Sequence, residues 1–149
     1  MSEHHATISW ERGTSEFTYD TYPRAHVWDF PSGIRVNASS APDFLGSADR
    51  VNPEEAFIAA LSSCHMLTFL ALAARKRLVV DHYEDAAVGI LEKNTDGKFS
   101  VTRVTLRPKV RFSNGFVLTR QEMHELHQKA HTHCFIANSI RTEVSIEPA

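Results

Sequence analysis

The sequence lacks most of the motifs that define common enzyme and nucleic-acid-binding classes. It contains only two cysteines, Cys64 and Cys134, and no Cys-x-x-Cys pair. No Gly-rich phosphate loop, dinucleotide fingerprint or Ser-His-Asp pattern is present, which argues against the common hydrolases and nucleotide-dependent enzymes. Because 16 Lys and Arg face 18 Asp and Glu, there is no excess of positive charge. We therefore expect no nucleic-acid partner and no membrane-surface partner.

The N-terminus, Met-Ser-Glu-His-His-Ala, has neither a basic segment nor an apolar segment of the kind that directs secretion. A cytoplasmic, reducing location is the resulting expectation. In such a compartment two cysteines are buried apolar residues, metal ligands or redox catalysts more often than a permanent structural disulfide.

The longest apolar segment runs from residue 57 to residue 74 without a charged side chain. Its length reaches the lower limit for a membrane span. It contains Ser62, Ser63, His65 and Thr68, however, and strand-like globular sequence surrounds it. Since a helix that is apolar all round can also form the buried centre of a soluble fold, we predict a buried central helix and no membrane insertion.

The 149 residues, 42% apolar and 23% charged, are typical of one globular domain. Alternating patterns predict strands, and the turn at Asn94–Gly97 predicts an antiparallel hairpin between two of them. We therefore predict a single α+β domain over residues 1–149, with mostly antiparallel sheets, a long central helix and a second helix. The predicted strands cover residues 6–10, 16–20, 33–37, 83–92, 99–112 and 139–146.

Both helices have recognisable N-terminal signals. Asn52 is a suitable N-cap for the central helix, with Pro53 at the first helical position and Glu55 at the third, as in a capping box. Thr119 and Glu122 form the same pattern before a second helix that is predicted to run to about Cys134.

A cysteine is a nucleophile only as its thiolate, and Cys64 lies in mid-helix, far from the helix N-terminus. A guanidinium elsewhere in the fold is the obvious group to stabilise the thiolate, since arginine stays protonated. Glu54 lies ten residues before Cys64 and about 80° from it around the helix, whereas Glu55 points away. Ten residues also span about 15 Å, so one site on one unbroken helix cannot use both Glu54 and Cys64 without a second subunit.

Histidines offer an alternative chemistry. His124, His127 and His131 share one face of the second helix, with His133 and Cys134 just beyond. Imidazoles and a thiolate are zinc ligands, but the two close ligand pairs of structural zinc sites are missing. An exposed histidine-rich face is the simpler interpretation, and we predict neither a metal nor a cofactor.

The pattern Asn52-Pro-Glu followed after nine residues by Cys64, with Cys134 near the end of a second helix, resembles the OsmC/Ohr family of thiol peroxidases. Arg24 stands nine residues before Gly33, as the active-site arginine of that family stands before its turn glycine. Within the family, Ala-Leu-Ser-Ser-Cys-His around Cys64 is closer to the OsmC-like branch than to the organic hydroperoxide resistance branch.

This resemblance implies an OsmC-like fold, an intertwined homodimer with active sites at the subunit interface, and reduction of organic hydroperoxides with some activity on hydrogen peroxide. Cys64 would be the peroxidatic thiolate and Cys134 the resolving thiol, which closes a disulfide. Arg24 would stabilise the thiolate and orient the peroxide, and Glu54 would hold Arg24 by a bidentate ion pair. A dithiol or lipoylated reductant would reopen the disulfide.

Two further functions stay open at this point: a non-catalytic dimeric module that binds an apolar ligand, and a zinc protein. If the peroxide pocket is apolar, its expected lining is Phe57, Leu61, Phe69 and Phe135, which would favour alkyl or fatty-acid peroxides. Neither the preferred peroxide nor the reductant follows from the sequence, and His65 has no assigned role.

Overall fold

A computed structural model describes all 149 residues, which divide into two compact units, residues Met1–Ala56 and Phe57–Ala149. The prediction of one domain over residues 1–149 stays a prediction. Each unit has its own sheet structure, and the central helix begins in the first unit and continues through the second.

The first unit contains one antiparallel sheet of three short strands, β1 (Thr7–Ser9), β2 (His26–Asp29) and β3 (Arg35–Ala38), in that order. The predicted strand over residues 16–20 is wrong, and β2 is the strand that the prediction missed. Residues 18–22 instead form a turn, in which the Thr18 N–H donates to Thr21 Oγ1 at 3.1 Å and the Tyr22 N–H to the Thr18 carbonyl at 3.0 Å. Such local bonds from threonine compete with sheet pairing.

The central helix, α1, runs from Pro53 to Arg75, and its capping box is confirmed. The Asn52 Oδ1 accepts from the Glu55 N–H at 2.8 Å, while the Glu55 carboxylate accepts from the Asn52 N–H at 3.1 Å. The second helix, α2, spans Arg120–His133 and starts with the predicted capping box of Thr119 and Glu122. Both starts were predictable because a capping box is encoded within four residues.

The second unit contains five strands in two sheets. The predicted hairpin is confirmed, because the two strands that flank the Asn94–Gly97 turn pair antiparallel. Two antiparallel strands form one sheet; the other has three strands, the last of which pairs parallel. The first sheet consists of β4 (Val80–Asp85) and β7 (Pro108–Phe112), and the second, in spatial order, of β5 (Val88–Lys93), β6 (Phe99–Leu106) and β8 (Glu143–Ile146).

Each of the two long predicted strands is in fact a pair of strands. The stretch 83–92 divides between β4 and β5, and 99–112 divides between β6 and β7, so that each stretch contributes to both sheets. The two breaks are joined by a hydrogen bond from the Arg107 N–H to Asp85 Oδ1, at 2.6 Å. Pro108, which has no N–H to donate, follows the second break as the first residue of β7.

Two apolar clusters form the core of the second unit. One joins α1, β7 and α2, and its buried members are Phe69, Leu72, Ala73, Phe112, Leu126 and Ala130. The other joins α1, β6 and the segment after α2, and consists of Leu61, Val104, Leu106 and Cys134, with Cys64 packed against it. These clusters attach one face of α1 to the unit.

The opposite face of α1 is not covered by this chain. The helix is long and apolar enough to cross a membrane by length and composition alone, with a mean hydropathy of 1.8 over its most apolar 18-residue window. Only 28% of that window is buried, and Leu67 is 60% exposed. The predicted buried helix is therefore buried on one face only, because a single copy of the chain packs nothing against the other.

Candidate functional site

Cys64 and Cys134, the two thiols of the chain, lie next to each other in the second unit. Cys134 ends α2 as its C-cap and is completely buried in the cluster of Leu61, Val104 and Leu106. Cys64 packs against the same cluster from α1, and both thiols are free. Seventy residues separate them in the sequence, so it is the packing of α1 against the end of α2 that makes a reaction between them possible.

The two sulfurs differ in environment. Burial raises the pKa of the Cys134 thiol to about 11, with Cys64 raising it further, although the Ala137 N–H donates to Cys134 Sγ at 3.5 Å and acts in the opposite direction. Cys134 is therefore protonated at neutral pH. Cys64 is only half-buried, so it is the more accessible of the two thiols.

A groove of about 740 Å³ runs along the uncovered face of α1 and is lined by both apolar and basic side chains. Cys64 lines it together with Leu67, Ala71 and Phe135, and Lys129 and His133 approach it from α2. Phe135 is thus in the expected place. The other three residues expected to line an apolar pocket are not in this groove, because Leu61 and Phe69 are completely buried in the core and Phe57 packs in the cluster around Cys134.

Arg24 and Glu54 belong to the first unit. The Arg24 guanidinium lies over the Tyr22 ring, 3.8 Å from its centroid, and donates to the backbone carbonyls of Tyr22, at 2.6 Å, and Tyr19. Its Nε is buried and has no acceptor. Glu54 occupies the first turn of α1, half-buried, and makes no ion pair in this chain. The predicted bidentate pair between Arg24 and Glu54 stays a prediction.

Arg24 also lies in an aromatic cluster of the first unit. Trp10, Phe17 and Tyr22 surround an open pocket of about 610 Å³, with ring centroids 5.5–6.4 Å apart. The Trp10 indole N–H donates to the Pro23 carbonyl at 2.6 Å, which fixes the backbone immediately before Arg24. The aromatic rings and the carbonyls together hold the guanidinium at the edge of this pocket.

A buried histidine pair is the feature that the sequence analysis missed. His65 of α1 and His127 of α2 are each 1% exposed, and His65 Nε2 lies 3.0 Å from His127 Nδ1 in a hydrogen bond. Phe69 stacks on His127 with ring centroids 4.4 Å apart. The spacing of apolar residues in α1 could have predicted the burial of one member of the pair. His65 lies four residues after Leu61 and four before Phe69, on the buried face of the helix.

The histidines do not assemble a metal site. No group of three or more His, Cys, Asp or Glu side chains is placed to hold a metal ion. His127 turns into the core towards His65, whereas His124 and His133 are exposed. The face shared by three histidines in the sequence is thus divided between core and solvent, and the zinc alternative lacks a ligand set within the chain.

The family model described as OsmC-like protein matches residues 46–149. The chain is similar over its full length to the solved structure of an OsmC-like protein of unknown function from Vibrio cholerae, with 51% identity, 100% coverage of both chains and a TM-score of 0.94. It is 25% identical over 126 residues, 83% of each chain, to the uncharacterized protein YmaD of Bacillus subtilis. The organic hydroperoxide resistance protein OhrB of B. subtilis has the same fold, with 21% identity, a TM-score of 0.73 and coverage of 99% of this chain and 98% of that one.

The histidine pair predicts a loss of stability in mild acid. Burial is the main cause that lowers the pKa of both His65 and His127 to about 4. His131 lowers the pKa of His65 further and Asp85 raises it, while His65 and His124 lower the pKa of His127. The unfolded chain binds these protons from about pH 6.5 downward, so stability falls as the pH drops from 6.5 to 4. The slope reaches about 1.4 kcal/mol per pH unit for each histidine.

Urea unfolding at pH 7.5, 6.0, 5.5 and 5.0 measures this slope before most carboxylates titrate. His133→Asn, which changes an exposed histidine of the same helix, is expected to keep the slope. Equal unfolding free energies at pH 7.5 and 5.0 would contradict a buried neutral pair.

The environment of Cys134 predicts slow alkylation. In Cys64→Ser protein at pH 8, iodoacetamide should modify Cys134 at least about 100-fold more slowly in the folded chain than in urea, because burial lowers both the thiolate fraction and access. Cys134→Ser protein, which keeps the half-buried Cys64, is the matched comparison and should be modified readily when folded. Rapid labelling of folded Cys134 would show that the thiol is not enclosed.

Proposed function

Since the chain belongs to the OsmC-like family, which is related to the organic hydroperoxide resistance proteins, we propose that it is a thiol-dependent peroxidase that reduces organic hydroperoxides. The observation that carries this proposal is the contact between the two thiols, one buried and protonated and the other facing a groove. A peroxidase with two cysteines needs this asymmetry. One thiol must be accessible to the substrate, and the other must stay unreacted until the first is oxidised.

In the first step, the Cys64 thiolate attacks the terminal oxygen of the hydroperoxide. The O–O bond breaks, the sulfur becomes a sulfenic acid, and the alkoxide leaves as an alcohol after taking up a proton. The sulfur loses two electrons and the peroxide gains them. The apolar side chains Leu67 and Phe135 beside Cys64 favour an organic group on the substrate, and hydrogen peroxide is a poorer fit to that surface.

In the second step, Cys134 attacks the Cys64 sulfenic acid, a disulfide forms, and water leaves with the Cys134 proton. A dithiol or lipoylated reductant then restores both thiols by two successive exchanges and becomes a disulfide itself. Because Cys134 is buried and its pKa is raised, it stays a thiol while Cys64 reacts. A cytoplasmic location is proposed with this cycle, because it supplies reducing dithiols.

Arg24 and Glu54 are proposed to serve the same reaction. A guanidinium beside Cys64 would stabilise the thiolate and orient the peroxide, and its free buried Nε could donate to the Glu54 carboxylate. Within one copy, Glu54 and Cys64 lie ten residues apart on one helix, about 15 Å. We propose that Arg24 and Glu54 of one copy complete the site formed by Cys64 and Cys134 of another.

This arrangement requires a homodimer, and the uncovered face of α1 is the surface proposed to form it. Ala60, Leu67 and Ala71 lie on this face, with Phe135 beside it, 81% exposed. Small side chains allow two helices to approach closely, and a two-fold axis through the face would bury the same residues of both copies. A second copy would also close the groove beside Cys64 against water.

Replacing the proposed nucleophile is the direct test of function. We expect wild-type protein to consume cumene hydroperoxide with dihydrolipoamide as reductant, and Cys64→Ser to reduce the rate by at least about 1,000-fold, because serine is not ionised at neutral pH. Cys134→Ser should keep the first oxidation and stop at the sulfenic acid. Ser100→Ala, near the start of β6 and outside the groove, is the control and should retain turnover.

Consumption of peroxide by Cys64→Ser at the wild-type rate would overturn the peroxidase assignment. Inactive wild-type protein that nevertheless binds an apolar ligand would favour the alternative of a non-catalytic binding module.

The proposed dimer interface on α1 can be tested by introducing one charged side chain. Wild-type protein should have a mass in solution of twice 16.8 kDa by light scattering. Leu67→Glu should shift it to the mass of one chain, because the substitution places a carboxylate in the middle of the proposed interface. Val117→Glu, at a residue that is 81% exposed and outside the α1 face, should remain dimeric. Wild-type protein that is monomeric at micromolar concentration would contradict both the proposed interface and the proposed site shared between two copies.

A further inference from the structure

We propose that His65 and His127 are positioning residues for disulfide formation: their buried hydrogen bond joins α1 to α2 and so keeps Cys64 and Cys134 within reach of each other. This inference rests on the proposed function, because it concerns the second step of that cycle. Neither histidine touches the peroxide in this scheme.

The location of the pair connects both thiols. His65 follows Cys64 directly in α1, and His127 lies in α2, which ends at Cys134. The His65–His127 bond is a side-chain hydrogen bond between residues inside the two helices. Their other shared contacts are apolar, in the cluster that contains Phe69, Leu72 and Leu126. Apolar packing tolerates small slides and rotations of a helix, whereas a buried hydrogen bond has a preferred distance and direction.

The pair is a poor choice for stability alone. His65 Nδ1 and His127 Nε2 are buried without a partner, and each such atom lowers the stability of the folded chain. Two apolar side chains of similar size would avoid that cost. A buried polar contact that fixes a unique arrangement of two elements can compensate for it in function.

Disulfide formation is sensitive to such positioning. Cys134 must bring its sulfur to the back of the S–O bond of the Cys64 sulfenic acid; the S–S bond then forms, the S–O bond breaks, and the hydroxyl leaves as water with the thiol proton. Displacement of a reacting group by about 1 Å can slow a reaction about 100-fold. The reaction of Cys64 with a peroxide requires no alignment of Cys134.

Variants can separate the hydrogen bond from the volume of the side chains. Gln at position 65 and Asn at position 127 place an amide nitrogen near the ring nitrogens that form the bond, Nε2 of His65 and Nδ1 of His127, so His65→Gln and His127→Asn preserve a donor or acceptor there. His65→Leu and His127→Leu remove it. The double variant His65→Leu/His127→Leu leaves no orphaned partner and should fold even where a single leucine variant does not.

The experiment follows both steps after one equivalent of cumene hydroperoxide. Dimedone trapping reports the sulfenic acid, and intact mass reports the disulfide as a loss of about 2 Da. We expect the leucine variants to oxidise Cys64 within about twofold of the wild-type rate but to close the disulfide about 10-fold more slowly or worse, with sulfenic and then sulfinic acid accumulating. His65→Gln and His127→Asn should restore closure at least in part.

A matched control separates positioning from general destabilisation. Ser62 Oγ donates to Asp85 Oδ2 at 2.5 Å and so joins α1 to β4 rather than to α2. Ser62→Ala should lower the unfolding free energy without slowing disulfide closure. If Ser62→Ala slows closure as much as the leucine variants do, or if the leucine variants close at the wild-type rate, the positioning role is wrong.

Diamide closes the same disulfide without peroxide. One thiol adds across the N=N bond, the other displaces it, and both thiol hydrogens end on the hydrazine product, so this route measures thiol proximity alone. If the wild-type protein does not react with peroxides, the proposed function is wrong, but the diamide comparison can still be made. With an active wild type, equal diamide closure in wild-type and leucine variants would overturn the positioning role alone.

Discussion

The constraint on which the rest of this structure depends is that α1 is apolar on all sides while one copy of the chain covers only one of them. The covered face carries Leu61, His65 and Phe69 and joins the helix to the sheets and to α2. The uncovered face carries Leu67 and the groove in which Cys64 lies. Burial of apolar surface drives both folding and association, so the helix that organises the core also carries the surface that we propose a second copy covers. In the proposed cycle the covered face positions the thiols and the uncovered face admits the substrate.

Local features of the fold were predictable because their information is local. Each capping box lies within four residues, and a turn with Asn and Gly between alternating segments is sufficient to predict the hairpin of β5 and β6. Local hydrogen bonds of Thr18 replaced the predicted strand at residues 16–20, but the division of the two long predicted strands had a non-local cause. Alternation continues through residue 107 although the chain changes sheets there, because what ends β6 is a hydrogen bond from the Arg107 N–H to Asp85, which is distant in sequence. The alternation of apolar and polar residues along a strand cannot predict a contact with a residue so distant in the sequence.

The candidate site, too, was predictable from the sequence only in part. The resemblance to a thiol-peroxidase family singled out Cys64 and Cys134, and the spacing on a helix showed that Glu54 and Cys64 of one copy are too far apart to act together. The contact between the thiols needed the structure, because it depends on how the end of α2 packs on α1. The partner of His65 was also beyond the sequence, since the four clustered histidines of α2 gave no sign that only His127 turns inward. The apolar lining was mispredicted for a related reason: Leu61 and Phe69 are large and close to Cys64 in sequence, but they lie on the face that the core covers.

The electrostatics also decide which groups can activate the thiols. A histidine next to a cysteine in sequence suggests a catalytic base, but burial lowers the pKa of His65 to about 4 and its ring is committed to His127, so it is both a weak base and turned away from the groove. A neutral imidazole also supplies no charge to hold a thiolate. In the proposed cycle, a permanent cation outside the core stabilises the Cys64 thiolate. The proposed group is Arg24, whose guanidinium is held at a pocket edge by aromatic rings and carbonyls and has a buried N–H without an acceptor. In the proposed cycle, the two histidines hold Cys64 and Cys134 in position for disulfide formation, whereas Arg24 stabilises the Cys64 thiolate for the reaction with peroxide. Substitutions can therefore test the two contributions separately.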